Sequence, residues 1–282
     1  MITGEQKEFL QKKAARIRRD IVDMVAPPKI GHLGGSASCA EIIAVLYFYK
    51  LRHDPQNPNW PERDRFIMSK GHSGLAQYAA LAECGYFPRE ELRYNKELGC
   101  HLQGHPDMRK TPGIEANTGS LGQGLSIGLG LALAAKLDNA SYKVYVLLGD
   151  GELAEGQVWE AAMAAAAYRA DNLVAIVDKN NVQATGPIKE RMDMGVLKEK
   201  WEAFGWYVLE VDGHDVGALA SALDEADTVC GRPVVIITHT VKGKGIPFAE
   251  HKAAYHNAGM TEEEYQIACA ATEAALAGGD NK

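Results

Sequence analysis

The sequence predicts an α/β protein built on a doubly wound, mostly parallel sheet flanked by helices, and three observations carry that expectation. From Tyr142 onward the apolar runs YKVYVLL, NLVAIVD, WYVLEVD and PVVIITH alternate with helical stretches such as VWEAAMAAAAYRA. Strands without polar alternation are covered on both faces, and helices between them imply parallel crossovers. Polar residues then gather where these runs stop: Asp150, Asp178, Asn180, Asp212 and His239. In an open parallel sheet the ligand crevice lies outside the carboxyl ends of the strands. Finally, 282 residues with 46% apolar and 24% charged side chains suffice for a full core in a single domain, residues 1–282.

Taken in order, residues 4–25 place Phe9, Leu10, Ile17, Ile21, Val22 and Val25 at helical spacing, until Pro27 and Pro28 stop the run. A second apolar helix is expected from Cys39 to Leu51. HDPQNPNWPERD then reads as a proline and asparagine loop leading to the short strand RFIMS. A helix from about Ser73 to Cys84 follows KGH. Residues 119–137, GSLGQGLSIGLGLALAAKL, read as a glycine- and alanine-rich helix whose small side chains let neighbouring backbones approach. WYVLEVD leads to a polar helix ending near Val229, and the tail EAALAGGDNK reads as frayed or partner-bound. No long linker and no internal repeat interrupts the chain.

Composition excludes several roles. A formal charge of −7 disfavours a nucleic-acid groove or an anionic membrane surface, both of which need clustered positive charge. The cysteines at 39, 84, 100, 230 and 269 form an odd set with no CxxC spacing, so neither a disulfide framework nor a zinc site is indicated. The polar start GEQKEFLQKK and the absence of a long apolar run point to the cytoplasm rather than to export or a membrane.

The chemistry concentrates in GDGELAEGQVWEA, residues 149–161. Gly149 and Gly151 allow a sharp turn with close backbone approach, and a helix starting near Glu155–Gly156 offers free N–H groups to an anion such as phosphate. Asp150 at the strand end can bind a hard cation, with the Asn180 amide oxygen and the Val182 carbonyl as further ligands and a diphosphate completing the shell. A lone GDG is more often a turn with a capping acid. The pairing with DKNN at the next strand end, thirty residues on, is what favours a shared ligand site.

The run GDGELAEGQVWEAAMAAAAYRADNLVAIVDKNN resembles the thiamin diphosphate and magnesium motif in the form found in transketolase. The resemblance extends through IGHLGGSASCAEIIAVLYF, DRFIMSKGHSGLAQYAAL, GHPDMRKTPGIEANTGSLGQG and THTVKGKGIPFAE, and covers only the N-terminal, diphosphate-binding half of that enzyme. It implies the thiamin diphosphate-binding fold, specifically its diphosphate (PP-type) domain. It also implies magnesium, or calcium or manganese in its place, on Asp150, Asn180 and the Val182 carbonyl. Gly151, His72 and the turn Gly119, Ser120 and Leu121 would contact the cofactor, with Lys242 and His256 beside it. His32, His105 and His256 correspond to histidines that hold substrate hydroxyls and move protons, a duty suited to imidazole. Glu155 and Glu160 match an acidic pair at a dimer interface, although first-turn helix charges read the same way. Leu33 stands where the family often has proline, and HNAG around His256 departs from the family's HG-x-P.

Thiamin diphosphate performs the carbanion chemistry itself, and the protein supplies binding, orientation and electrostatics. In transketolases a glutamate that activates the cofactor comes from a second, pyrimidine-binding domain of the opposing chain. No segment here resembles it. The expectation is therefore one subunit of a split transketolase, partnered by a polypeptide carrying the pyrimidine-binding and C-terminal domains in an α2β2 assembly. It would pass a two-carbon ketol unit between sugar phosphates. Alternatives are one component of a 2-oxoacid dehydrogenase or deoxyxylulose phosphate synthase type of enzyme, and a non-catalytic half that binds cofactor or partner. A nicotinamide enzyme, suggested by the glycines at 122, 124 and 128, lacks the strand such a fingerprint follows.

Overall fold

The structure is a computed structural model that describes residues 2–278. The opening helix α1 (Gly4–Met24) starts at a capping box of Thr3 and Gln6 and buries Leu10, Ala14, Ile17, Ile21 and Val22, as its apolar spacing predicts. After the short strand β1 (Ile30–Gly31) come α2 (Leu33–Ser38) and α3 (Ala40–Val45), which continues as a π-helical segment Leu46–Lys50. β2 (Arg65–Met68) leads to α4 (Gly74–Cys84), and α5 (Gln123–Asp138) precedes β3 (Val144–Gly149). Next stand α6 (Gly156–Ala167) and β4 (Leu173–Lys179), then the hairpin β5 (Val182–Gln183) and β6 (Gly186–Pro187). The chain closes with α7 (Ile188–Arg191), α8 (Leu197–Ala203), β7 (Tyr207–Asp212), α9 (Val216–Thr228), β8 (Val234–His239), β9 (Ala258–Gly259) and α10 (Glu262–Leu276).

The central sheet is all parallel in the order β2-β3-β4-β8-β7. Alternate strand residues feed two cores. Tyr145, Leu147, Val174, Ile176 and Ile236 pack with Ile17, Ile21, Ile43 and Leu223 of α1, α3 and α9. Val144, Val146, Val177, Val235 and Ile237 pack on the other side with Leu125, Val158, Ala162 and Trp201 of α5, α6 and α8. Helices on both faces of a parallel sheet are the doubly wound arrangement the apolar runs predict. No helix among the described residues is long and apolar enough to cross a membrane.

Several expectations need correction. The glycine-rich helix begins at Gln123, because Gly119 and Gly122 adopt φ of 134° and 82°, outside helical geometry. The run WYVLEVD is not covered on both faces: β7 is an edge strand and its residues are half-buried or exposed. The loop after DKNN contains the hairpin β5–β6 and the helices α7 and α8. In the tail, EAAL lies within α10, whose Thr261–Glu264 capping box fixes its start, so that part is not frayed. Residues 279–282 of that tail fall outside the described residues.

Candidate functional site

The parallel register brings Gly149 level with Asp178, and Asp178 level with Thr238, so the ends of β3, β4 and β8 form one rim. Beyond it opens a crevice of about 410 Å³. Its floor is Asp150, Gly151, Asn180 and Val182; its walls are His32, His72, Lys242 and His256, with Gly119 and Leu121 at one end. A second cavity of about 350 Å³ lies elsewhere, where Lys50, Lys143 and Arg52 pair with Asp224, Asp227 and Asp64.

Asp150 is buried, and its carboxylate accepts from the backbone amides of Gly151 (2.9 Å) and Asn181 but from no lysine or arginine side chain among the described residues. Burial, then the neighbouring charge of Asp178, pushes it up to about 7. Asp178 is the contrasting case. Lys70, Ser38, Thr240 and Asn180 all donate to its fully buried carboxylate, and although burial works to raise it, Lys70 and the other donors hold it below the usual carboxylate range. The Asn180 amide is oriented by this hub: Nδ2 donates to Asp178 (3.2 Å), and Oδ1 accepts from Val182 N–H (3.1 Å) with a lone pair to spare. The Val182 carbonyl accepts from Lys242 Nζ at 2.8 Å.

A carboxylate held without a counter-ion, beside an amide oxygen and a backbone carbonyl, is a hard-oxygen donor set that suits a divalent cation. No cluster of three or more His, Cys, Asp or Glu among the described residues is placed to hold a metal. That also fits, because magnesium uses one or two carboxylates together with phosphate oxygens rather than an all-protein cage. On the anion side, Lys242 is 2% exposed, has no carboxylate within salt-bridge reach among the described residues, and is lowered to about 8 by burial and then by Lys70. Glu155, immediately before α6, also lines the crevice.

Three histidines, His32, His72 and His256, line the crevice, and His105 stands beside them. The His32 ring lies 5.2 Å from His72, 5.4 Å from His256 and 6.0 Å from His105, and His72 lies 4.9 Å from His256. Burial, then Lys96, lowers His32 to about 4; burial, then Lys242, lowers His256 to about 4; burial, then Lys70, lowers His72 to about 2. All three are neutral at pH 7, each with one ring nitrogen able to accept and one to donate. His105 is exposed and stands at the mouth against Gly119, where a Cβ would come within 2.9 Å of its ring. Ser120 is also exposed and does not line the crevice, and neither do Asp212, at the end of the edge strand β7, and His239, at the end of β8, both of which are exposed. Glu155 lines the crevice, Glu160 lies exposed on α6, and Lys244 is half-buried in the loop after Lys242. The sequence reading missed Lys70 and Glu152. Glu152 accepts from the Gly122 and Gly149 amides and from Ser69, pinning the GDG turn to the start of α5.

The fold and this crevice define a doubly wound α/β protein with a polar crevice at the carboxyl ends of its sheet. Residues 10–273 match the family described as "Transketolase, thiamine diphosphate binding domain", and the chain belongs to that family. It is 46% identical over 270 residues to the 6-deoxy-6-sulfo-D-fructose transketolase subunit SqwG of Clostridium sp., covering 96% of this chain and 98% of the relative. It is 43% identical to one subunit of the apulose-4-phosphate transketolase of Phocaeicola vulgatus, with 93% of each chain covered. Among solved structures, transketolase from Leishmania mexicana superposes with a TM-score of 0.88 at 33% identity, over 94% of this chain and 41% of that one. The chain thus spans less than half of that transketolase.

Proposed function

We propose that this chain is the diphosphate-binding subunit of a two-subunit transketolase in the cytoplasm, and that it requires a partner carrying the pyrimidine-binding and C-terminal domains. One observation carries the reading: Asp150, buried and without a cationic hydrogen-bond partner among the described residues, stands beside the Asn180 amide and the Val182 carbonyl at the ends of neighbouring strands. Asp150, Asn180 and Val182 would hold magnesium, while Gly151 N–H, Lys242 and the Gly119–Leu121 turn would hold the diphosphate. When bound, thiamin diphosphate supplies the electron sink for breaking and making a carbon–carbon bond next to a carbonyl. The chain's own work is to orient and to move protons. His32 and His256, kept neutral by burial, can accept and donate hydrogen bonds at substrate hydroxyls and relay protons there, while His72 would contact the cofactor. His105, at the mouth, is placed to meet the outer hydroxyl.

A partner chain is supported by two relatives of matching length whose names call them subunits. Their named substrates are a sulfonated and a phosphorylated ketose, which favours a ketose with an anionic tail as donor. An α2β2 assembly is the expected form. Calorimetry of the purified chain with thiamin diphosphate, with and without Mg2+, tests the cofactor site; metal-dependent binding is expected, and no binding with or without partner defeats the reading. Ketol transfer should be absent from the chain alone and appear on adding the partner. Full activity without a partner would overturn the split-enzyme reading.

A further inference from the structure

His214 lies in the turn between β7 and α9, outside the crevice, and it ties two layers together. Its Nε2 accepts from the backbone N–H of Val241 at 2.9 Å, and its Nδ1 lies 3.0 Å from Glu41 Oε2. A nitrogen that accepts from an amide carries no proton, so the proton sits on Nδ1 and is donated to Glu41. Glu41 on α3 is itself gripped by Arg18 of α1, through Nη2 at 2.7 and 2.8 Å, and both residues are buried. The imidazole is therefore a strut of fixed tautomer, braced on the helix layer and pushing against the loop that follows β8.

That loop carries Lys242, one residue beyond Val241. Lys70, the other buried ammonium of the crevice, is placed by its ion pair with Asp178. Among the described residues Lys242 has no such carboxylate; its Nζ donates to the Val182 carbonyl at 2.8 Å and lies 3.0 Å from His256 Nδ1. Its position is set by the backbone, through the Thr240 hydroxyl on Asp178, the Gly243 N–H on the Gly34 carbonyl (2.9 Å), and the Val241 N–H on His214 between them. We propose that His214 is a positioning residue for anion binding: acting through the Val241 amide, it holds the Lys242 ammonium at the diphosphate end of the crevice. The proposal rests on the reading that this crevice takes a diphosphate.

The test compares two amides in the full chain. The H214N side chain is long enough to donate to Glu41 but too short to reach Val241, whereas H214Q can present its carbonyl to the Val241 N–H and its amide N–H to Glu41. Thiamin diphosphate affinity is measured by calorimetry at fixed Mg2+, and hydrogen exchange is followed at the Val241 amide. Groups that orient a ligand-binding side chain cost about 10–100-fold in affinity when lost. H214N is expected to bind that much more weakly with faster exchange at Val241, while H214Q stays close to wild type in both. A merely structural role would lower the melting temperature of both variants and leave affinity alone. The proposal is overturned if H214N, folded and with Val241 exposed, binds as wild type does, or if H214Q protects Val241 yet binds as weakly as H214N. A wild type that binds no thiamin diphosphate, alone or with its partner chain, defeats the functional reading instead, and the exchange contrast then tests the strut alone.

Discussion

Asp150 and Asp178 show how neighbouring carboxylates at one sheet edge are given opposite tasks by their hydrogen bonds. Asp178 is saturated by four side-chain donors and serves as an internal anchor, while Asp150 accepts from two backbone amides and from no cationic side chain among the described residues. Asp150→Asn is expected to weaken magnesium-dependent cofactor binding by about 100-fold or more while the chain still folds, since a charge-assisted cation ligand is removed but the volume is kept. Calorimetry and a thermal melt check the two halves. The histidine wall makes a second prediction. Against an ordinary value of 6.5, His32 and His256 sit at about 4 and His72 at about 2 in the folded chain. Between about pH 4 and 6.5 the unfolded chain binds protons that the folded chain refuses, so stability is complete above 6.5 and falls as pH drops through that window. Asp150, raised to about 7 by burial, works in the opposite sense, and so do the carboxyls of Glu152 and Asp20, which burial also raises, while His105, lowered by burial, adds a fourth histidine to the opposing side. Glu41 enters only lower: burial works to raise it, Arg18 and then His214 outweigh that and hold it at about 2, so its contribution is lost only as pH falls below 4.5. The cofactor-free chain should melt at lower temperature at pH 5 than at pH 7, and His72→Gln should narrow the gap. Equal melting temperatures at the two pH values would contradict the buried, neutral wall. At this scale the sequence was informative where a residue type is dictated by local chemistry, as in GDG and DKNN. It was silent on Lys70 and His214, whose partners lie 108 and 173 residues away.

The helix α5 shows what an element requires that a hydrophobic pattern does not reveal. Its glycines are not equivalent. A Cβ on Gly124 would fall 2.3 Å from Ser69 Oγ and 2.8 Å from Ser69 Cα of the segment after β2, whereas a Cβ on Gly130 would meet nothing within 4 Å. Gly124→Ala must therefore push the helix off the sheet, at a cost of about 1–3 kcal/mol. Gly130→Ala on the same helix should gain about 0.5–1 kcal/mol from helix propensity alone. Urea denaturation of both variants reads the opposite signs, and a destabilised Gly130→Ala would show that the exposed side of α5 is constrained in the free chain. Strands β3, β4 and β8 were legible because burial on both faces leaves unbroken apolar runs. Helix α8 was not. Its seven residues are too few for a periodic signal, and it is held instead by Trp201 packing at 4.9 Å from Trp206 and 5.1 Å from Trp159, contacts no local pattern encodes. The half-exposure of β7 was hidden for a related reason, since edge position depends on strand order, which the crossovers set.

At the scale of the whole molecule, alternating strands and helices made the doubly wound topology readable, while the surface it presents to other chains became visible only with the helices in place. The helices α5 and α6 lie side by side, and their outer faces are unusually apolar: Ile127, Leu137, Met163 and Tyr168 are exposed, and Leu131 and Leu133 are half-buried. A helix that is apolar all round is ordinarily covered, and contiguous apolar surface marks an interaction site. This face is continuous with the crevice, because Gly122, just before α5, abuts Glu155, just before α6. A partner chain seated there would cover the apolar face and reach the open side of the crevice in one step, which is the arrangement the proposed two-subunit enzyme needs. Met163, 52% exposed, offers the cleanest probe. Met163→Glu removes little from the folded chain, so its melting temperature should move by no more than about 0.5 kcal/mol of stability allows. Burying the new carboxylate at an interface without a partner group would cost several kcal/mol, so assembly with the proposed partner subunit should weaken by at least about 100-fold. Light scattering of the mixed subunits reads assembly, and calorimetry with thiamin diphosphate confirms that the crevice is intact. A Met163→Glu chain that assembles as the wild type does would place the partner on another face.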